Sequence, residues 1–328
     1  MQKEVLKIGI TAGDPAGVGP EVALKAIDAL HDNEIVPIII GRRSAFQKNY
    51  PGLLRDYESA NDRQAAQSGK KYLYDVPGSS PAPVPGAGSP ETGRESLACI
   101  DVALELWRSG GIDAVVTGPV SKSFIEKSGV SFSGHTEYIA AKIGGGDPFM
   151  MMFSEKYRVL LASTHVPVSD IMSHISHERL LSVMRAGYDS IRMIDLGEVR
   201  IAIAGLDPHC GDDGAIGTFD RDVTHRAVAD ARGRGIPIEG PFAADTLFIP
   251  GTWGRYNLVI AHYHDQGLIP FKLLAFDTGV NVTLGLPIVR TSVDHGPAFD
   301  IAGKNIASSS SMAEAIRLAK LLVKKRQR

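Results

Sequence analysis

The sequence predicts an α/β protein, and three observations carry that expectation. Short runs of Val, Ile, Leu and Ala alternate with segments of helical apolar spacing along the chain. The 328 residues are 44% hydrophobic and 22% charged, enough apolar material for a sizeable core, and the length suits two domains or one large α/β unit. The polar clusters that can carry chemistry fall just after apolar runs, where α/β folds place their sites.

Taken in order, residues 6–11 read as a strand that ends in the Gly/Pro-rich loop 12–21. A helix over 21–30 and a strand over 36–40 complete a βαβ start. Residues 61–94 are polar and rich in Pro and Gly, which predicts a long surface connection with one short strand at 72–76. Leu97, Ile100, Ala103, Leu104 and Trp107 space a helix over 95–109, and 112–117 is a buried strand. Segments 149–153 and 158–162 read as adjacent strands, and 177–194 as a long amphipathic helix. Strands follow at 199–205, 258–263, 280–285 and 288–293. A helix over 311–325 closes the chain, with basic residues near its C-terminus where the helix dipole favours them.

Several classes are disfavoured. Lys+Arg 35 against Asp+Glu 37 leaves a formal charge of −2, which argues against nucleic acid or an anionic membrane as partner. Two cysteines, Cys99 and Cys210, exclude a disulfide scaffold and a four-cysteine zinc site. No apolar signal core opens the chain and no run has the length of a membrane span, so a cytoplasmic protein is expected. The loop 13–19 is not Gly-x-Gly-x-x-Gly, and Pro15 and Pro20 lack amide donors, so a tight strand-to-helix turn is the favoured reading.

Three histidines each follow a separate strand: His165, His209 and His264. Converging, they would make an open three-imidazole site for a divalent ion; otherwise each makes local hydrogen bonds. Asp245 and Asp265 suit general bases or outer carboxylates around such a site, or helix N-caps. Lys272, Asn281 and Arg290, with His135 and Thr136 at a helix start, suit phosphate or carboxylate binding. A solvated Lys272 and a structural ion pair at Arg290 are the plainer alternatives. Cys210 beside His209 reads as a small packing residue rather than a nucleophile.

Several strings closely resemble the 4-hydroxythreonine-4-phosphate dehydrogenase family. They are the stretch from Ile10 to Glu21, Thr117-Gly118-Pro119-Val120-Ser121-Lys122, Gly134-His135-Thr136-Glu137, Tyr263-His264-Asp265-Gln266-Gly267 and the stretch from Val280 to Gly303. The resemblance implies oxidation of the C3 hydroxyl of 4-phosphooxy-L-threonine with NAD or NADP, followed by decarboxylation to 3-amino-2-oxopropyl phosphate, in pyridoxal phosphate biosynthesis. It implies one divalent ion (Zn, Co or Mg) on His165, His209 and His264. It also implies substrate contacts at His135, Thr136, Lys272, Asn281 and Arg290, with Lys272, Asp245 or His135 as the proton-abstracting base. Similarity to isocitrate and isopropylmalate dehydrogenases implies a two-domain fold with an active-site cleft between domains. Residues 1–128 plus 288–328 would form the first domain, and 129–287 the second, with the metal histidines and dimer contacts. A cofactor loop would carry His295, Gly296, Asp300, Ala302 and Asn305, in a homodimer with shared active sites. Pro297, Asp207, Cys210, Asp212 and His262 depart from the family pattern. Sister enzymes acting on 4-phospho-D-threonate or 4-phospho-D-erythronate share nearly the same motifs.

Overall fold

The computed structural model describes residues 5–60, 67–78, 81–194 and 197–327. Of the expected connection 61–94, residues 61–66 and 79–80 lie outside them. The strands of the first half are β1 (Leu6–Thr11), β2 (Ile35–Gly41), β3 (Tyr57–Ser59), β4 (Lys71–Asp75), β5 (Ala114–Thr117) and β6 (Phe149–Phe153). Those of the second half are β7 (Arg158–Leu161), β8 (Ile201–Ala204), β9 (Ile238–Phe242), β10 (Leu258–Ala261), β11 (Val280–Leu284) and β12 (Val289–Val293).

The chain forms two compact units, Met1–Gly146 with Leu286–Arg328, and Asp147–Gly285. The sequence expectation set the boundaries at 128/129 and 287/288. The difference arises because helix His135–Ile143 belongs to the first unit: Ile139 is fully buried there with Phe132, Leu286 and Ile288.

In the first unit the strand order is β3-β4-β2-β1-β5-β12, with every pairing parallel. β2 and β5 are buried throughout, as a parallel sheet covered on both faces requires. Helix Gly19–Leu30 starts with Pro20 in its first turn, where the missing amide costs nothing. Helix Pro90–Arg108 begins earlier than its apolar spacing indicated. Ser89 Oγ accepts from the Thr92 amide while Thr92 Oγ1 accepts from the Ser89 amide, so a reciprocal cap starts the helix in what reads as loop. Ser89→Ala is expected to lower the urea midpoint by the equivalent of ~1 kcal/mol. An unchanged midpoint would show that the cap contributes nothing.

In the second unit the order is β11-β6-β7-β10-β8-β9. β11–β6 and β6–β7 are antiparallel, and the remaining pairings are parallel. Its core centres on Trp253, fully buried, whose indole N–H donates to the Arg158 carbonyl at 3.3 Å. Strand β9 and helices Lys122–Lys127 and His225–Gly233 were not anticipated. Among the described residues no helix is long and apolar enough to cross a membrane.

Candidate active site

In the first unit the loop after β1 is shaped by close backbone approaches. A Cβ at Gly13 would lie 2.3 Å from the Pro119 carbonyl oxygen, and one at Gly17 would lie 2.8 Å from Pro297 Cβ. The loop's amides are engaged internally: Asp14 N–H bonds Pro119 O, Gly17 N–H bonds Asp14 O, and Val18 N–H bonds Pro297 O. None of these three is left to hold a phosphate, which agrees with the tight-turn reading of residues 13–19. Asp14 itself is fully buried, accepting from Ala16 N–H and Thr92 Oγ1. Burial, which the hydrogen bonds only partly offset, raises its carboxyl from 3.8 to about 6.

That displacement has a signed consequence. Between about pH 4 and about pH 6 the folded chain binds more proton at Asp14 than the unfolded chain, so stability falls as pH rises through that window. Asp14→Asn is expected to remove this component, worth roughly 3 kcal/mol across the window. The check is the difference between wild-type and variant denaturation midpoints across that range, in which slopes from other groups cancel. Parallel pH profiles would contradict it.

The anion-binding candidates of this unit come together. β12 carries Arg290, which is 2% exposed and donates through Nη2 to Thr117 Oγ1 at 2.7 Å at the end of β5. Burial lowers its pKa to about 9, against the raising influence of Glu137. His135 opens helix His135–Ile143, and its ring meets Phe132 edge-on at 5.7 Å. Its Nε2 is buried and without a hydrogen-bond partner. Burial, then the charges of Arg290 and Lys122, push its pKa well below 6.5, so the imidazole is neutral at neutral pH. Thr136 follows in the same first turn. Lys122, the first residue of its own helix, also belongs to this group. Residue types alone do not reveal it, because a lysine after a loop gives no sign of what it faces.

The loop after β12 holds the expected cofactor residues. His295 Nδ1 lies 3.0 Å from the Gly296 carbonyl, and its Nε2 is a second buried nitrogen without a partner. A Cβ on Gly296 would meet nothing within 4 Å, so the surface there is open. Ala302 is buried, while Asp300 and Asn305 are exposed, Asn305 with φ 59. Pro297 closes against Gly17, a packing role that a smaller hydroxyl residue would fill less well.

In the second unit, cross-links between strand ends place the histidines. Gln266 Oε1 accepts from the His262 amide at 2.7 Å, and Gln266 Nε2 donates to the Gly205 carbonyl at 2.7 Å, tying the ends of β10 and β8. Ser163 Oγ donates to the His262 carbonyl at 2.7 Å and adds the end of β7. His165 and His264 emerge with ring centroids 6.1 Å apart. His264 Nδ1 lies 2.7 Å from Asp265 Oδ1, which directs the lone pair of Nε2 outward. His262 is fully buried, with Nε2 3.2 Å from Thr224 Oγ1, and burial lowers it to about 4.

His209 sits differently. Residues 209–213 all have positive φ, from 44 to 82 degrees, although only Gly211 is glycine. Asp220 holds the entrance of this left-handed turn by accepting from Leu206 N–H and Asp207 N–H. Asp245, exposed in helix Ala244–Leu247, lies near the turn, since with Asp220 and Asp207 it raises the Cys210 thiol. Burial is the larger cause, and together they bring that thiol to about 11, so it stays protonated and fits the packing reading. Among the described residues no three His, Cys, Asp or Glu side chains gather as a metal-binding group. The structure brings the rings of His165 and His264 together. Lys272 lies late in helix His264–Ala275, and Asn281 on β11 has a buried Oδ1 without a partner.

The architecture is that of the isocitrate-dehydrogenase type of α/β fold. The isocitrate dehydrogenase of Methylococcus capsulatus matches with a TM-score of 0.51 at 12% identity, over 98% of this chain and 87% of that one, a likeness of fold alone. A family model described as pyridoxal phosphate biosynthetic protein PdxA matches residues 33–319, and the chain belongs to that family. It is 40% identical over 321 residues, 96% of each chain, to a 4-hydroxythreonine-4-phosphate dehydrogenase of Chromobacterium violaceum. It is 34% identical to a D-threonate 4-phosphate dehydrogenase of Salmonella typhimurium, over 96% of this chain and 98% of that protein. The crystal structure of 4-hydroxythreonine-4-phosphate dehydrogenase from Klebsiella pneumoniae matches with a TM-score of 0.83 at 33% identity, covering 97% of this chain and 99% of that one.

Proposed function

We propose that this chain is an NAD(P)-dependent dehydrogenase that oxidises 4-phosphooxy-L-threonine at C3, with loss of CO2 to give 3-amino-2-oxopropyl phosphate in pyridoxal phosphate biosynthesis. The observation that carries this reading is the buried guanidinium of Arg290 beside the unpartnered Nε2 of His135, an arrangement built for an anion, in a chain of this family. Arg290, Lys122, Thr136 and His135 suit an anionic group of the substrate, and Lys272 and Asn281 are further substrate contacts of this reading. NAD or NADP, when bound, would supply the acceptor for the C3 hydride; CO2 then leaves from C1. The electron pair left at C2 delocalises onto the C3 oxygen before protonation at C2. Burial and neighbouring cations make His135 a poor proton acceptor, which leaves Lys272 and Asp245 for the C3 hydroxyl proton. The unpartnered Nε2 of His295, beside the open Gly296, suits a dinucleotide held with Asp300, Ala302 and Asn305.

A divalent ion fits the donor set of His165 and His264, the latter with its Nε2 lone pair directed outward by Asp265, and His209 would complete it. When bound, such an ion (Zn, Co or Mg) supplies Lewis-acid polarisation of the C3 oxygen. Helix His264–Ala275 and its C-terminal edge expose Ile269 (59%), Leu273 (80%) and Phe276 (63%) along one face, the kind of apolar stripe a symmetric subunit contact covers.

The reading is tested by NAD(P)+ reduction and CO2 release with 4-phosphooxy-L-threonine, against 4-phospho-D-threonate and 4-phospho-D-erythronate. Preference for either sugar-acid phosphate would instead assign the catabolic activity that the Salmonella typhimurium relative's name describes.

A further inference from the structure

The loop that carries Pro297 and Asn305 is held at both ends by one helix. At its entrance the Val18 amide, at the start of helix Gly19–Leu30, donates to the Pro297 carbonyl at 2.8 Å. At its exit Lys25 Nζ lies 2.7 Å from Glu21 Oε1, 3.0 Å from the Asn305 carbonyl and 3.3 Å from the Ala307 carbonyl. The Ala307 amide returns a bond of 2.9 Å to Glu21 Oε1. All three donors of the ammonium are thereby engaged, two of them on backbone more than 270 residues away in sequence. Glu21 is fully buried, and its ion pair with Lys25 and its bond from the Ala307 amide offset the cost of burying the carboxylate, so the three groups hold one another in place. The exit adopts left-handed backbone at Gly303 (φ 77) and Asn305 (φ 59), residues that suit that conformation, and the Lys25 bond to the Asn305 carbonyl fixes it against the helix.

We propose that Glu21 and Lys25 are positioning residues for the dinucleotide, clamping the exit of the cofactor loop in its binding-competent shape. This rests on residues 295–305 being the cofactor loop. Loosening the exit lowers the competent fraction of the free enzyme without changing the bound complex. Cofactor affinity then falls in proportion while turnover at saturation holds.

The test uses the full-length enzyme with Lys25→Met at this partly exposed position; since the change leaves the buried Glu21 carboxylate without its cation, the thermal midpoint is read beside the kinetics, and Glu21→Gln with Lys25→Met is the variant used if Lys25→Met does not fold. A fall of the competent fraction to about a tenth raises KM for NAD+ or NADP+ about tenfold, with kcat and the phospho-substrate KM within about twofold. Lys25→Arg, which keeps the cation and its donors, restores the cofactor KM. An unchanged cofactor KM, or equal rises in both KM values, overturns the proposal. Direct titration of His295→Ala with NAD+ and NADP+ separates the two layers. Weakened binding there with an unaffected Lys25→Met removes only the clamp. Unaltered binding in His295→Ala removes the loop assignment, and the clamp proposal with it.

Discussion

His264→Ala is expected to reduce turnover at least ~100-fold, the range reached when even an outer partner of a metal ligand is lost, while the protein stays folded. His264 is half-buried at the start of its helix and contributes no core contact, so circular dichroism and the thermal midpoint should stay close to wild type. Chelation of the wild-type enzyme should produce the same loss, reversed by Zn2+, Co2+ or Mg2+. Full activity in rigorously metal-free protein would remove the ion from the mechanism. Subunit mixing adds the question of who supplies His209. If His209 and His264 of one site come from different protomers, mixing His264→Ala with His209→Ala subunits creates one intact site per mixed dimer, and activity returns. If both come from one protomer, every site keeps a lesion and none returns.

Arg290→Lys is expected to raise KM for the phosphorylated substrate about 10- to 100-fold, as loss of one charged hydrogen bond does. The substitution keeps a positive charge near Glu137, so the fold is not asked to bury an uncompensated carboxylate. What it removes is the planar fork that meets Thr117 through both Nε and Nη2, a geometry that a lysine ammonium cannot reproduce. A dephosphorylated substrate should be poor with wild type. If Arg290 faces the phosphate, that substrate should be nearly insensitive to the substitution. If the variant weakens it as much as the phosphorylated one, Arg290 holds the carboxylate instead. An unchanged KM for both substrates would make Arg290 a purely structural residue.

Much of this was legible from residue types alone. β1 runs over Leu6–Thr11 as its apolar spacing indicated, and His135 does open a helix. Buried strands declare themselves because a residue covered on both faces has almost no polar alternatives. The start of helix Pro90–Arg108 escaped notice because Ser, Pro and Thr are as much at home in loops as in caps, and only the reciprocal bonds distinguish the two. The place of His135 in the first unit depends on Ile139 meeting Leu286 and Ile288, a contact no local pattern encodes. Lys122 was invisible as a site residue for the same reason. The turn at His209 was hidden for another: Cys and Asp carry no preference for consecutive left-handed backbone, so nothing local announces it.

That left-handed turn has a consequence in the language of the genetic code. Cys210, Asp212 and Asp213 each hold a conformation that disfavours a Cβ, at a cost of order 1 kcal/mol per residue. Codons for cysteine and aspartate are a single base from glycine codons. In a library of random point mutants selected for survival after heating, glycine at Asp212 and Asp213 should therefore be among the first substitutions recovered, whereas at Cys210 it also gives up the thiol's packing against Gly205. Each is reachable in one mutational step and each leaves the His209 side chain in place.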